Sequence, residues 1–231
     1  MKLYQILYFT LLPLCGTIST KTNACLIFQK EESEIMVVYC VGDSITQGAT
    51  LADLSQRWTD LCAAQTGYEL VNCGIGGDTT AGIMHRCHTR IFPEKPDAVL
   101  ILGGSNDISF TWDYRQACAN VVSIVRNAQA LGIKCIVGIP VPMAAEDLAF
   151  RPWDPERDQA HIAAQCGRYA RWLRVYCRER SIPCVDFHTP FLNADGTVRR
   201  ELLSDGLHPN AMGHRIMADT LARVLPGILN D

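Results

Sequence analysis

Long hydrophobic runs are missing from this chain. Nowhere in its 231 residues do about 18 apolar side chains follow one another, which argues against a helix spanning a bilayer. Charge of one sign is also scarce: 21 basic and 24 acidic residues are scattered along the sequence, for a net charge of −3. A nucleic-acid binder needs clustered basic residues, and no such cluster is visible. No internal repeat or low-complexity tract divides the chain, so its length and 48% hydrophobic content suit one domain with one sizeable core. Complete internal disulfide pairing is excluded as well, because the eleven cysteines are odd in number.

Several of those cysteines fall where core residues are expected. Cys40, Cys73, Cys135 and Cys184 lie in predicted strands, and Cys62, Cys118, Cys166 and Cys177 in predicted helices. Reduced cysteine is a good small hydrophobe, so this usage fits a reducing compartment and a cytoplasmic location. Residues 1–35 leave two readings open. Lys2, the apolar stretch Leu3 to Leu14 and the small residues near Ala24 outline a secretory signal, though Gln5 and Thr10 interrupt it. Alternatively, residues 1–35 are an extension outside the natural protein, with Met36 as its start. That reading is preferred here, because Met36 opens the first strand and Lys30-Glu31-Glu32 can be encoded by a ribosome-binding sequence.

Apolar runs bounded by turn residues predict strands near 36–42, 68–73, 97–103, 133–140 and 182–187. Helical stripes separate them: Leu54, Trp58, Leu61 and Gln65; then Ala117, Val121, Ile124, Ala128 and Leu131; then Ile162, Cys166, Tyr169, Leu173 and Tyr176. A last helix is expected to carry Pro209 in its first turn and to bury Met212, Ile216, Met217, Thr220, Leu221 and Val224. Alternation of this kind means a three-layer α/β/α fold on a parallel sheet. Right-handed crossovers bring the C-terminal ends of the strands to one edge, and the doubly wound order 2-1-3-4-5 puts the crevice beside the first strand. The proline-rich loop at 140–158 follows the fourth strand and is expected to border that crevice.

Four segments carry the chemistry. Ser44 lies in Gly42-Asp43-Ser44-Ile45, directly after the first strand. Asn72 to Thr79 and Gly103-Gly104-Ser105-Asn106-Asp107 follow the second and third strands, and Asp205-Gly206-Leu207-His208-Pro209 lies near the C-terminus. A serine hydroxyl needs a base to take its proton, His208 can be that base, and Asp205 can orient its ring. A backbone N–H at Gly77, the Asn106 amide and the Ser44 N–H can stabilise an oxyanion.

Together, in this order and approximate spacing from Met36 to about Leu225, these segments resemble the SGNH (GDSL) hydrolase superfamily. The resemblance implies the same three-layer fold and a cofactor-independent serine esterase acting through an acyl-Ser44 intermediate. It implies a Ser44, Asp205, His208 triad and an oxyanion hole of Ser44, Gly77 and Asn106. The expected partner is a small-molecule ester: a short-chain acyl ester of a sugar or small alcohol, or a single-chain lipid. No metal, nucleic acid or stable membrane insertion is expected, and the oligomeric state stays open. Position 76 is glycine where many relatives have serine, and position 105 is serine where threonine is common.

Other residues compete for attention. Asp43 more plausibly holds its loop than acts catalytically, and Ser105 lacks the glycine a hydrolase elbow needs, having Asp107 instead. His85 and His88 read as a solvated helix face, and Asp186-Phe187-His188 could mimic a dyad. Trp112, Tyr114 and Trp153 are candidate walls of the substrate site, although helix packing explains the first two equally well. The rival from another class is a binding protein that keeps this fold without catalysis. A flavodoxin-like phosphate binder is disfavoured, since Gly42 and Gly48 flank a serine rather than a glycine-rich anion loop.

Overall fold

The computed structural model describes residues 36–149, 154 and 156–231. Five parallel strands form one sheet in the order β2-β1-β3-β4-β5: β1 Val37–Gly42, β2 Glu69–Gly74, β3 Ala98–Leu102, β4 Lys134–Ile139 and β5 Cys184–Asp186. Each lies within a residue or two of its expected position, and the three-layer α/β/α order is the expected one. The inner strands are apolar on both faces because helices cover both. In β3, Ala98, Leu100 and Leu102 enter one core layer while Val99 and Ile101 enter the other, the period of two that a strand imposes.

The layer containing Val99 is closed by α3 (Thr80–Arg86), α5 (Arg115–Ala130) and α6 (Gln159–Glu179). The other is closed by α2 (Trp58–Thr66) and α7 (Ala211–Asn230). Two short helices, α1 (Ser44–Gln47) and α4 (Ser105–Thr111), start directly after β1 and β3. The stripes expected on α5 and α6 are buried, apart from Leu131, which lies exposed beyond the end of α5, and Tyr176, which is half-buried.

Two helical expectations need correction. Leu54 lies outside α2 in a separate 3-10 turn and is 52% exposed, because Asp53 caps Ser55 and Arg57 is extended. Trp58, Thr59 and Cys62 are what α2 buries. Pro209 is not in the first turn of α7 either: it bridges Leu203, and Asn210 caps the helix by accepting from the N–H groups of Met212 and Gly213. The stripe that α7 buries is His214, Met217, Ala218, Leu221, Leu225 and Leu229, and Met212 and Val224 are exposed.

The nine cysteines among the described residues are all free. None of the described helices is long and apolar enough to cross a membrane.

Candidate active site

Two glycines decide how closely the chain can approach itself at the C-terminal edge of the sheet. A Cβ on Gly42 would lie 2.2 Å from Thr46 Oγ1, and one on Gly74 only 2.1 Å from the backbone nitrogen of Gln47. The ends of β1 and β2 therefore press directly on α1. Asn72 fastens the contact, donating to Thr46 O at 2.6 Å and to Thr59 Oγ1 at 2.9 Å. Ser44 opens α1, so its N–H belongs to the turn that a helix leaves without intrahelical partners. Asp43 caps that turn, accepting from Ile45 N at 3.0 Å. This is the structural use expected of it. Burial pushes the Asp43 carboxyl up to about 6, against the Ile45 hydrogen bond and His208, while Asp78 and Asp107 push with it.

Ser44 Oγ lies 2.8 Å from His208 Nε2. On the far side of the ring, Nδ1 lies 2.7 Å from Asp205 Oδ2. Asp205 Oδ1 also accepts from the backbone of His208 at 2.8 Å and of Leu207 at 3.1 Å. Burial raises the Asp205 carboxyl, but these N–H groups and the His208 ring outweigh it, so its pKa lies below the ordinary carboxylate value. An ionised carboxylate can only accept, so in a neutral imidazole the Nδ1 proton faces Asp205 and the Nε2 lone pair faces the serine hydroxyl.

Gly206 makes this turn possible. Its φ is +79°, and a Cβ there would lie 2.7 Å from Ala144 O. Ala144 N donates to Gly206 O at 2.8 Å, which ties the loop after β4 to the turn carrying Asp205 and His208. Leu148, Ala149, Arg157 and Leu207 join Asp205 and His208 around a cavity of about 80 Å³. The described ends of the 140–158 loop thus border the site, as its position after β4 suggests.

The turn after β2 lies against the serine. A Cβ on Gly76 would come within 3.9 Å of Ser44 Cβ, and Gly77 has φ +77°. Asn106, 9% exposed, donates from Nδ2 to Asp78 O at 2.9 Å. That bond uses one of the two N–H groups of the amide and holds its orientation. Asp107 is spent within the fold, where its carboxylate accepts from Thr80 N and Thr80 Oγ1.

The remaining candidates differ in their surroundings. Trp112 and Tyr114 pack, half-buried, against the core layer of α5 and α6. Trp153 lies outside the described residues. Ser105 is buried at the start of α4. His88 contacts Asn127 at 3.0 Å and meets Phe92 edge-on, and among the described residues no three His, Cys, Asp or Glu side chains cluster as metal ligands. Arg86 escaped the sequence reading, and Asn72 and Gly206 were read only as members of their segments. Their partners, among them the carbonyls of Gly42, Cys73 and Thr46, the Thr59 hydroxyl and the Asp78 carboxylate, are brought in by tertiary folding, and the one local signal was that Gly206 stood between Asp205 and His208.

A family model described as GDSL-like lipase/acylhydrolase matches residues 40–216, which includes all four of these segments. The chain belongs to the GDSL-like lipase/acylhydrolase family. Esterase TesA of Pseudomonas aeruginosa is 30% identical over 190 residues, covering 80% of this chain and 85% of that protein. An acetylxylan esterase of Geobacillus stearothermophilus is 24% identical, covering 69% of this chain and 73% of its own. The crystal structure of a lipase/acylhydrolase from Enterococcus faecalis superposes with a TM-score of 0.65 at 24% identity, over 84% of this chain and 96% of that one. This last likeness concerns the fold. Membership of the GDSL-like family makes the protein an esterase or acylhydrolase by class.

Proposed function

We propose that the protein is a serine esterase that forms an acyl-Ser44 intermediate and needs no cofactor. The observation that carries this reading is the unbroken chain Ser44 Oγ to His208 Nε2 at 2.8 Å and His208 Nδ1 to Asp205 Oδ2 at 2.7 Å. As Oγ attacks the ester carbonyl, its proton passes to Nε2. Asp205 stabilises the resulting imidazolium without taking its proton. The C=O electron pair moves onto oxygen, where Ser44 N–H, Gly77 N–H and the second Asn106 N–H receive the negative charge. Collapse of this intermediate breaks the bond to the alkoxy oxygen, which leaves with the proton from Nε2. Water then repeats the sequence on the acyl-serine, giving up a proton to His208 and releasing the carboxylic acid and Ser44.

Its substrates are short-chain acyl esters of sugars or small alcohols, or single-chain lipid esters, in keeping with the esterase TesA and acetylxylan esterase relatives. Trp112 and Tyr114 contribute to binding through the parts of their rings left outside the core, and Trp153 through the loop after β4. Free, largely buried thiols suit a reducing, cytoplasmic environment. The test is a panel of p-nitrophenyl and sugar esters of increasing acyl length, run on the wild-type chain and Ser44→Ala. Turnover that vanishes with the substitution supports the reading. Ligand binding without turnover would instead identify a non-catalytic binding protein.

A further inference from the structure

Arg86 ends α3, well away from Ser44 in sequence, yet its guanidinium reaches the carbonyl ends of two strands at once. Nη1 donates to Cys73 O at 2.7 Å and Nη2 to Gly42 O at 2.9 Å. Nε and Nη2 both donate to Asp78 Oδ2, at 2.9 and 2.6 Å. Gly42 directly precedes Asp43-Ser44, Cys73 directly precedes the glycine turn, and Asp78 directly follows Gly77. Gly42 O also accepts from Ile75 N at 3.0 Å, so one carbonyl gathers the serine strand, the turn and the guanidinium. Asp78 in turn holds the third element, because its backbone carbonyl receives the Asn106 amide at 2.9 Å.

We infer that Arg86 is a positioning residue for the oxyanion hole, locking the Ser44, Gly77 and Asn106 donors into one geometry through Gly42, Cys73 and Asp78. This rests on the roles proposed above for those three donors. Stability alone is a poor reason for such a group. Arg86 and Asp78 are 13% and 14% exposed in their side chains, and an ion pair removed from water this far roughly breaks even against apolar packing. What an apolar pair cannot do is bind two carbonyls and a carboxylate in fixed directions. Lysine cannot do so either, since an ammonium is a point charge without the planar fork. Gly82 belongs to the same device: a Cβ there would lie 1.8 Å from Asp78 Oδ1, so only glycine lets the carboxylate lie flat over α3 towards Arg86.

The inference separates positioning from folding in a set of variants assayed with p-nitrophenyl acetate. Arg86→Lys is expected to keep most of the thermal stability while kcat falls about 10–100-fold, the scale of a small misplacement at a reacting centre, with KM changed little. Gly82→Ala leaves Arg86 and its strand contacts in place, favours the helix, and should lower kcat in the same way by displacing Asp78. It also keeps the test open should Arg86 variants fail to fold. In the Asn106→Ala background, Arg86→Lys should cost far less than in the wild type, because one of the donors it positions is already gone. A merely structural arginine would instead lower melting temperature without a kcat effect, or give the same fold-loss in both backgrounds, and either result overturns the inference. If Ser44→Ala and Asn106→Ala behave as proposed while Arg86→Lys and Gly82→Ala retain wild-type kcat, this inference fails alone. Retained activity in Ser44→Ala would overturn the underlying mechanism instead.

Discussion

Two Asp-to-His segments lie after β4 in this chain, Asp186-Phe187-His188 and Asp205-Gly206-Leu207-His208, and only one of them faces the serine. Both aspartates do the same local work, each accepting from the backbone N–H of its own histidine, at 2.9 Å in the first and 2.8 Å in the second. They differ in what else reaches the carboxylate. Asp186 is saturated by Arg174, at 2.8 and 3.1 Å, and by the Thr189 hydroxyl at 2.7 Å. Its histidine is buried, with Nδ1 2.9 Å from Pro140 O, and burial pulls its pKa down despite that bond. Asp205 keeps Oδ2 for the His208 ring, which stands between it and Ser44. A carboxylate neutralised by a guanidinium can brace a loop. Only the one held by its own imidazole can orient a base.

The largest effect that would break this contrast is at the nucleophile. Ser44→Ala should abolish ester hydrolysis and all fluorophosphonate labelling, whereas Ser105→Ala should leave both standing. Next, Asp205→Asn should lower kcat by about 10⁴, the loss found when a triad imidazole adopts the wrong tautomer. Asp186→Asn, the matched change in the other segment, should leave kcat within about twofold and lower the melting temperature, as expected for a lost brace. Equal losses of activity in the two would erase the distinction. Asn106→Ala should fall between them, losing about 10²–10³ in kcat with labelling slowed but retained.

The smallest effects concern pH. Burial, with His208 nearby, holds His214 down to about 4, so the fold favours its neutral form. Its contribution to stability is complete above the unfolded value of about 6.5 and is lost as pH falls towards 4. Asp43 runs the other way: its pKa is raised from 3.8 to about 6, so its contribution is present below 3.8 and is lost as pH rises through 6. Asp43→Asn keeps a capping side chain and does not titrate. Its melting temperature should therefore gain on the wild type as pH is raised from 4 to 7, and parallel melting curves would show that Asp43 does not titrate in this range.

Much of this was legible in the chain because it is local. The strands read as β-branched runs, and each site segment follows a strand or opens a helix, so topology alone brings Ser44, Gly77 and Asn106 to one edge. The misread parts depend on contacts made at a distance. Pro209 falls before α7 rather than in its first turn because it bridges Leu203, six residues back, while Asn210 caps the helix. Arg86 drew no notice because two of its three partners are backbone carbonyls at the ends of β1 and β2. Asp186-Phe187-His188 could mimic a dyad in the sequence because Arg174, which occupies its carboxylate, lies on α6.

The most direct measurement is the site of covalent capture. The intact protein is treated with a fluorophosphonate under conditions that stop its esterase activity, then digested and mapped by mass spectrometry. The account predicts one adduct, on the peptide carrying Ser44, and its loss in His208→Ala. An adduct on Ser105 or another serine, tracking the loss of activity, would contradict it.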